Sequence, residues 1–395
     1  MIWVLSLSLL IWLILILFWG QFWRCDQRLQ GDSGSKAFNS QAGNAQALPT
    51  IAAVIPARNE AEVIETSIRS LLNQDYPGDL SITVVDDQSD DGTATLVMNL
   101  SQEASAQNRS LQVLAGKPLP PGWTGKLWAL EQGTQQVIAS QNPDFIWLSD
   151  ADIAHAPQSL SQLVHKAQAQ NLGLISLMVQ LRCQSFWEKL LIPAFIFFFQ
   201  KLYPFPWVND PQRSMAAAAG GCIVIQRSVL EQIGGIAALR EALIDDCTLA
   251  QKVKTVRRPF VPIWLGLSEE TVSLRAYESL ESIWTMVART AYTQLNYSPL
   301  LLLGTIVGMS LVYLVAPLGV LYGSITQQWG LLGLGLLLWG CMTIAYTPTV
   351  KLYRLSPLWA WTLPGIAFLY SLMTIDSARR HWIGKGGAWK GRVYQ

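Results

Sequence analysis

Apolar residues crowd both ends of the chain, and the first such stretch starts at the first residue. Residues 1–23 contain no charged side chain, and about 20 consecutive apolar residues are enough to cross a bilayer. A cleaved signal peptide has a basic start and a shorter apolar core, so we interpret residues 1–23 as an N-terminal transmembrane anchor. Arg24, Arg28 and Lys36 follow the anchor, and the positive-inside rule then predicts that the next segment is cytoplasmic.

Three more apolar stretches near the other end predict a C-terminal transmembrane region over residues 298–376. The tail, residues 377–395, is basic and is expected in the cytoplasm. Three complete crossings would put this tail outside, so either one stretch is re-entrant or interfacial, or the tail breaks the charge rule. Pro357 and Pro364 make the third stretch the weakest span.

The middle of the chain alternates short apolar runs with segments of helical length. Residues 24–47 are predicted to form a flexible linker, since residues 31–47 are rich in Gly, Ser, Asn and Gln. Residues 48–297 then show the alternation that is typical of βαβ units and a parallel sheet. Strands are predicted at residues 50–56, 80–87, 111–116, 144–150, 173–181 and 221–226. The predicted fold class is therefore α/β, with one mostly parallel sheet domain and transmembrane helices at both ends.

One aromatic segment inside this domain, near residues 185–207, differs from the other predicted elements. Its apolar core is short and is interrupted by Glu188, Lys189, Gln200 and Lys201. Such a pattern predicts an interfacial helix with Trp and Tyr at headgroup depth. A buried core helix is the alternative.

Composition narrows the class of protein. The chain has 395 residues, of which 51% are hydrophobic and 14% charged, and a net charge of +1. Charged residues make up about 25% of an average soluble domain, so the low charged fraction disfavours an ordinary soluble protein. A nucleic-acid-binding protein would be basic, so the near-zero net charge disfavours that class as well. The five cysteines form no C-x-x-C or Cys/His cluster, which predicts reduced, buried thiols.

Pairs of carboxylates stand where predicted strands end. Asp150 and Asp152 follow one apolar run, and Asp86 and Asp87 follow another. Ligands of open α/β sheets bind at the carboxyl ends of the strands, and two carboxylates one residue apart can reach one Mg²⁺ or Mn²⁺ ion. The alternative is that Asp150 and Asp152 only cap the next helix.

Five motifs in this order resemble the family 2 glycosyltransferases, which have the GT-A fold. They are "VIPARNE" (54–60), "VVDDQSDDGT" (84–93), "SDAD" (149–152), "GGCIVIQRSVLEQIGG" (220–235) and "IDDCTLAQKV" (244–253). Within that family, "PLPPGWTGKLWALEQG" (118–133) and the "AWKGRVY" tail resemble the glycosyltransferases associated with hopanoid biosynthesis.

The resemblance implies a set of roles for the donor side of the site. Glu60 would lie near the base or ribose of the nucleotide, Asp86 or Asp87 would bind the base, and Asp152 would ligate the metal. The residues implied in nucleotide-sugar binding are Pro56, Ala57, Arg58, Glu60, Asp86, Asp87, Lys126 and Asp150. Two of them could instead have a purely structural role: Lys126 could be a solvated residue at a helix start, and Arg58 could form an ion pair with a neighbouring acid.

The resemblance also implies the catalytic base and the acceptor side. Asp246 matches the family's final acidic residue and would be the general base, with Asp245 as its neighbour. Asp245 and Asp246 could instead only complement a helix dipole. The acceptor side would include Gly220, Gly221 and Arg289.

The implied activity is hexosyl transfer with inversion. A sugar leaves its nucleoside diphosphate, a divalent metal neutralises the leaving group, and a carboxylate takes the proton of the acceptor hydroxyl. The expected partners are a UDP-sugar, a lipid acceptor such as a hopanoid polyol, and the cell membrane, with the catalytic domain in the cytoplasm and no nucleic acid bound. Two rival functions are a processive polysaccharide synthase and a membrane scaffold with a dead catalytic domain. Processive members carry Gln-x-x-Arg-Trp, where this chain has Met286 and Thr290 around Arg289, which disfavours polymer synthesis.

Overall fold

An eight-stranded sheet with the order β3-β2-β1-β4-β7-β6-β8-β5 forms the centre of the α/β domain. The computed structural model describes residues 1–29 and 48–384, together with the backbone of residues 388–389 and 392–393. The strands are β1 (Ile51–Ala57), β2 (Leu80–Asp86), β3 (Ser110–Ala115), β4 (Phe145–Ser149), β5 (Ile153–Ala154), β6 (Leu174–Gln180), β7 (Cys222–Gln226) and β8 (Ile263–Ser273). β1, β2, β3 and β4 run parallel, as do β6 and β8, whereas β7 is antiparallel to both of its neighbours. The predicted α/β class and its mostly parallel sheet are confirmed.

The sequence of β1 explains why the sheet is covered on both faces. All seven of its residues are buried, and successive side chains of a strand point to opposite faces. Ala52 and Val54 belong to one core cluster, whereas Ile51, Ala53 and Ile55 belong to the other. Parallel sheets with buried faces are typical of α/β domains.

The helices of the domain cover these two faces. They are α2 (Ile64–Leu72), α3 (Thr93–Asn99), α4 (Ser101–Ala106), α5 (Gly125–Gln141), α6 (Ser159–Ala169), α7 (Phe186–Leu202), α8 (Phe205–Asn209), α9 (Arg227–Gln232), α10 (Asp245–Thr255) and α11 (Leu280–Thr290). The apolar ends of the chain add α1 (Ile2–Phe18), α12 (Pro299–Met309), α13 (Val315–Ile325), α14 (Trp329–Leu352) and α15 (Leu363–Trp382). A π-helical stretch, Ser310–Leu314, joins α12 to α13, and β9 (Ala388–Trp389) pairs with β10 (Arg392–Val393).

Three described segments are long and apolar enough to cross a membrane: Pro299–Ile325, Trp329–Leu352 and Pro357–Trp382. The N-terminal helix α1 is a shorter apolar helix of 17 residues. By length and composition, the C-terminal part of the expectation is therefore confirmed. Transmembrane insertion of α1 stays a prediction.

The predicted boundaries at residues 24 and 377 both fall next to structured segments, and the division into domains stays a prediction. Just after residue 24, Arg28 forms a β-bridge to Leu267 of β8, and the Leu267 N–H donates to the Gln27 carbonyl (2.8 Å). Residues 30–47 of the predicted linker lie outside the described residues. At the other boundary, α15 continues past residue 377 to Trp382.

The predicted interfacial segment forms α7 and α8, and much of α7 is covered by other parts of the chain. Phe197 is fully buried, with its ring against those of Phe22 and Tyr346. The Tyr370 hydroxyl of α15 donates to the Leu191 carbonyl (2.9 Å). This helix thus packs between the sheet domain and the apolar helices, and its position at a membrane surface stays a prediction.

The contacts of α1 and α14 show which of their ends meet the α/β domain. Leu5, near the start of α1, packs over Gly319 of α13, whereas Trp19, just after α1, donates its indole N–H to the Lys201 carbonyl of α7 (2.9 Å). The last turn of α14 returns to the domain, where the Gln180 side chain donates to the Leu352 carbonyl (3.1 Å).

The third apolar stretch meets the α/β domain at both of its ends. Near its start, the Trp359 ring lies 5.9 Å from that of Phe186, the first residue of α7. Near its end, the His381 ring stacks on Tyr297 at 4.2 Å. Between these points the Trp361 carbonyl accepts a hydrogen bond from Trp339 in the middle of α14 (2.9 Å). The stretch therefore runs out along α14 and back to the domain.

Candidate active site

A cavity of about 380 Å³ opens at the carboxyl ends of β1 and β4. Strands of both halves of the sheet and the starts of α5 and α10 contribute to its wall. Its charged lining residues are Glu60, Lys126, Asp150, Asp152, Asp245, Arg275 and Arg289. Pro56 also lines it, and so do Tyr277, Met286 and Thr290.

Lys126 links two of the acidic motifs. It lies in the first turn of α5, which Thr124 caps by accepting the Leu127 N–H (3.3 Å). Its Nζ is 2.8 Å from Asp150 Oδ1 and 3.5 Å from Asp245 Oδ2. Burial alone would lower the pKa of Lys126, but the attraction of these carboxylates outweighs burial and raises the pKa above its usual value. Lys126 is thus a charged, paired residue of the cavity and not a solvated one.

Arg275 pairs with two of the predicted donor-side carboxylates. Its Nε is 2.7 Å from Asp152 Oδ2, and its Nη2 is 2.9 Å from Glu60 Oε1. The motif analysis missed Arg275, because it follows β8 and no sequence pattern predicted that strand. The one sequence feature that points to Arg275 is its position just after the end of a strand, and that feature can be used only once β8 has been predicted.

Asp246 and Asp245 take different positions at the start of α10. Asp245 lines the large cavity, whereas Asp246 lines a small adjoining cavity that shares Lys126, Asp150 and Asp245 with the large one. Asp246 Oδ2 accepts the Gly220 N–H (2.9 Å), and Oδ1 accepts the Cys247 N–H (2.7 Å). Burial and then the charge of Asp245 raise the pKa of Asp246 to about 6. The assignment of the base to Asp246 stays a prediction, and Asp245 is the carboxylate that faces the large cavity.

Gly220 lets the chain approach both Lys126 and Asp246. A Cβ on this residue would lie 3.1 Å from Lys126 Nζ and 3.5 Å from Asp246 Oδ2. Gly221 is packed more deeply, against Val179 and Ile153. Gly220 thus borders Lys126 and Asp246, and contact of either glycine with an acceptor stays a prediction.

The remaining donor-side residues lie beside the cavity instead of on its wall. Ala57 is buried in β1, and Asp87 is 1% exposed. Arg58 reaches across to β2, with its Nη1 3.7 Å from Asp87 Oδ2 and bonded to the Asp87 carbonyl. Asp86 Oδ2 accepts the Ser89 N–H (3.3 Å). Arg58 therefore does pair with an acid, Asp87. Nucleotide contacts by Ala57, Arg58, Asp86 and Asp87 stay predictions.

Helix α11 forms the opposite wall and is fixed to α15. Its Trp284 indole N–H donates to Asp376 Oδ2 (2.9 Å), and Ser377 bonds the Ala288 carbonyl. Arg289 projects from this helix, is exposed, and forms no ion pair within residues 48–384. It is the one cavity cation of this described range whose charge is not already matched by a carboxylate.

Glu188 of α7 holds the cavity segment that follows β8. It is fully buried, and its carboxylate accepts the N–H groups of Ser185 (2.8 Å) and Tyr277 (2.9 Å). Burial alone would raise the pKa of Glu188, but these N–H donors and Arg182 lower it below the usual range. The helix that packs on the apolar segments is thereby tied to a residue that lines the cavity.

The oxygen ligands of the cavity fit a divalent cation only in part. Asp150 and Asp152 both line the cavity, but within the described part of the chain no three His, Cys, Asp or Glu residues are placed to hold an ion. Mg²⁺ is commonly bound by one or two protein carboxylates plus phosphate oxygens of a substrate. The two carboxylates therefore suit a cation that is shared with a diphosphate and not a closed protein site.

Comparisons with known proteins agree with this geometry. The family described as "Glycosyltransferase like family 2" matches residues 49–258, more than half of the chain. A probable glycosyltransferase, YdaM of Bacillus subtilis (strain 168), is 30% identical over 203 residues, which are 49% of this chain and 44% of that protein. The beta-monoglucosyldiacylglycerol synthase of Trichormus variabilis is 29% identical over 145 residues, 36% of this chain and 29% of that protein. The match spans less than half the length of both relatives.

A solved structure supports the fold over almost the whole chain. The mannosyltransferase PcManGT of Pyrobaculum calidifontis, in complex with GDP-Man and Mn²⁺, has a TM-score of 0.53 at 14% identity. The likeness covers 95% of this chain and 99% of that one, and at this identity it concerns the fold alone. With the match of residues 49–258 and the acidic cavity at the strand ends, the chain belongs to glycosyltransferase family 2 and has the GT-A fold.

Proposed function

We propose that this glycosyltransferase is an inverting, membrane-bound enzyme that transfers a hexose from a UDP-sugar to a hydroxyl group of a lipid. The observation that carries the proposal is the position of the cavity. The cavity is lined by Lys126 and by four carboxylates, those of Glu60, Asp150, Asp152 and Asp245. One of its walls, α11, is hydrogen-bonded to the apolar helix α15. An acceptor that enters past α11 comes from the side of the apolar helices, as a lipid would.

Cationic residues of the cavity suit the diphosphate of the donor. Lys126, Arg275 and Arg289 line it, and cations stabilise the charge that builds up on a leaving diphosphate. Asp152 would hold the divalent metal, with Asp150 beside it. When bound, Mg²⁺ or Mn²⁺ would neutralise the leaving group.

The names of two relatives support a lipid acceptor. Both are beta-monoglucosyldiacylglycerol synthases, from Trichormus variabilis and a Nostoc species, and 36% of this chain matches each of them. The resemblance of residues 118–133 to hopanoid-associated enzymes favours a hopanoid polyol as the acceptor of this chain.

Release of nucleoside diphosphate tests the activity class. The purified protein, given Mn²⁺ and a panel of UDP- and GDP-sugars, should release UDP from a UDP-sugar faster when lipid is added. No release from any sugar nucleotide, with or without lipid, would support a catalytically dead scaffold instead.

We propose Asp246 as the base on three grounds: its place in the motif, its contact with Gly220, and its raised pKa of about 6. A base near neutral pKa accepts a proton efficiently at physiological pH. Asp245 would then orient Lys126 and the acceptor.

The pH dependence of transfer should report this carboxyl group. A raised pKa means that Asp246 gains a proton as the pH falls through about 6, and a protonated base is inactive. The ratio kcat/KM should therefore be constant above about pH 7 and fall about tenfold per pH unit below pH 6. A profile that stays flat down to about pH 5 would contradict the assignment.

We also propose a membrane topology with three crossings, by α1, by α12 with α13, and by α14. The 17 residues of α1 are within the range that can span a bilayer, about 17–25 residues. The stretch Pro357–Trp382 would be re-entrant, because Trp359 and His381 both contact the domain side. The α/β domain and the basic residues after α15 would then share the cytoplasmic side, as the positive-inside rule requires.

Cysteine labelling tests this topology. In a background with Cys183 and Cys341 replaced by alanine, Ser140→Cys marks the α/β domain and Gln328→Cys marks the turn before α14. A membrane-impermeant maleimide should label Ile383→Cys from the same side as Ser140→Cys and Gln328→Cys from the other side. Labelling of Ile383→Cys together with Gln328→Cys would mean that the third stretch crosses the membrane.

A further inference from the structure

Arg275 is built into the site by contacts on both sides of it in the sequence. The Leu274 N–H donates to the Asp152 carbonyl (2.8 Å), and the Tyr277 N–H donates to Glu188 (2.9 Å). The guanidinium then spans Asp152 and Glu60, whose side chains are only 13% and 10% exposed. Its position is therefore set by the fold around it.

This pairing has a consequence for cation binding. Asp152 is already paired with Arg275 at 2.7 Å, and Asp150 is paired with Lys126 at 2.8 Å. A dication that enters the cavity alone meets two carboxylates that each already hold a cationic side chain, and it is repelled by the guanidinium next to Asp152. No third acidic, His or Cys ligand is placed to compensate among the residues that the structure describes.

We propose that Arg275 is a counter-ion that keeps a divalent cation from occupying the Asp152 site until the nucleotide-sugar arrives. The proposal rests on the proposed function, because it needs a diphosphate as the joint ligand. The diphosphate of the donor adds oxygen ligands and negative charge that offset the repulsion by Arg275, so cation and donor bind together. Arg275 lines the same cavity and then faces the diphosphate instead of bare Asp152.

Binding of Mn²⁺ to the detergent-solubilised full-length protein tests this without any turnover. Free Mn²⁺ is measured by electron paramagnetic resonance in the absence of nucleotide. Arg275→Gln should bind Mn²⁺ at least about tenfold more tightly than the wild type, because one full positive charge beside the ion is gone. Arg275→Lys keeps the charge and should stay close to the wild type. Arg69→Gln, which removes an exposed arginine paired with Glu65 at 2.9 Å, is the matched control and should not change.

A second substitution identifies the site of the gain. Asp152→Asn added to Arg275→Gln should return Mn²⁺ affinity to the wild-type level. An Arg275→Gln protein that is folded by thermal melting but binds Mn²⁺ no more tightly overturns the proposal, and so does a gain that survives loss of Asp152. If Arg275→Gln melts early, Arg275→Met fills the same space and is judged by the same criterion.

Addition of UDP separates this proposal from the proposed function. Wild-type protein should bind Mn²⁺ more tightly with UDP present, and Arg275→Gln should gain less from UDP. If UDP leaves Mn²⁺ binding to the wild type unchanged, the joint binding of donor and metal fails. In that case, a higher Mn²⁺ affinity of Arg275→Gln in the absence of nucleotide would still show that Arg275 opposes cation binding.

Discussion

Replacement of Asp246 by asparagine should lower sugar transfer by at least about 10²-fold and leave nucleotide-sugar affinity nearly unchanged. Asparagine keeps the size of the side chain and one oxygen for the N–H groups of Gly220 or Cys247, but it cannot take a proton. The loss is thus confined to the transition state. The measurements are kcat for transfer and the Kd of the UDP-sugar by calorimetry.

Asp245→Asn is the matched control, because it is adjacent and also carboxylic. Asp245 lines the large cavity and lies 3.5 Å from Lys126, so its loss should weaken positioning and cost less than the loss of Asp246. If Asp245→Asn costs more, the two roles are reversed. If neither variant changes the rate, the acid–base mechanism is wrong.

Replacement of Asp152 by alanine should abolish transfer and weaken donor binding at least about tenfold. Asp152 would help to hold the metal, which would neutralise the diphosphate, so loss of this carboxylate affects donor binding as well as the rate. A chelator should likewise abolish activity in the wild-type protein, and added Mg²⁺ or Mn²⁺ should restore it. The Kd of the UDP-sugar and the kcat of transfer are measured for Asp152→Ala and for the wild-type protein with and without chelator.

Asp79→Ala controls for the loss of a carboxylate in the same domain, since Asp79 is exposed just before β2, at the opposite end of the sheet from the cavity. That variant should bind the donor and turn over like the wild type. Full activity of the wild-type protein in the presence of chelator would show that transfer does not require a metal.

The residues that hydrophobic pattern and motif order could predict were those whose signal is local. β1, with all seven residues buried, stands out as an uninterrupted apolar run. Asp150 and Asp152 are found because they directly follow such a run, and the structure brings both to the cavity. Local periodicity reports burial, and strand ends report where a sheet binds ligands.

Long-range contacts explain what the sequence could not predict. β8 mixes apolar and charged residues, as in "SEETVS" (268–273), because its end leaves the core, so Arg275 was missed with it. The burial of Phe197 depends on rings from α14 and from residues before the linker. The course of the third apolar stretch depends on contacts with Phe186 and Tyr297, which hydropathy does not encode.

Transfer of label to lipid tests the central claim most directly. Membranes that contain the full-length protein are incubated with radiolabelled UDP-sugars, Mn²⁺ and total lipid, and the lipid fraction is separated and identified. We expect one UDP-sugar to label a single hydroxylated lipid with one sugar, and expect that label to be lost in Asp246→Asn membranes. Label only in polymer, or no lipid label from any UDP-sugar, would contradict the account.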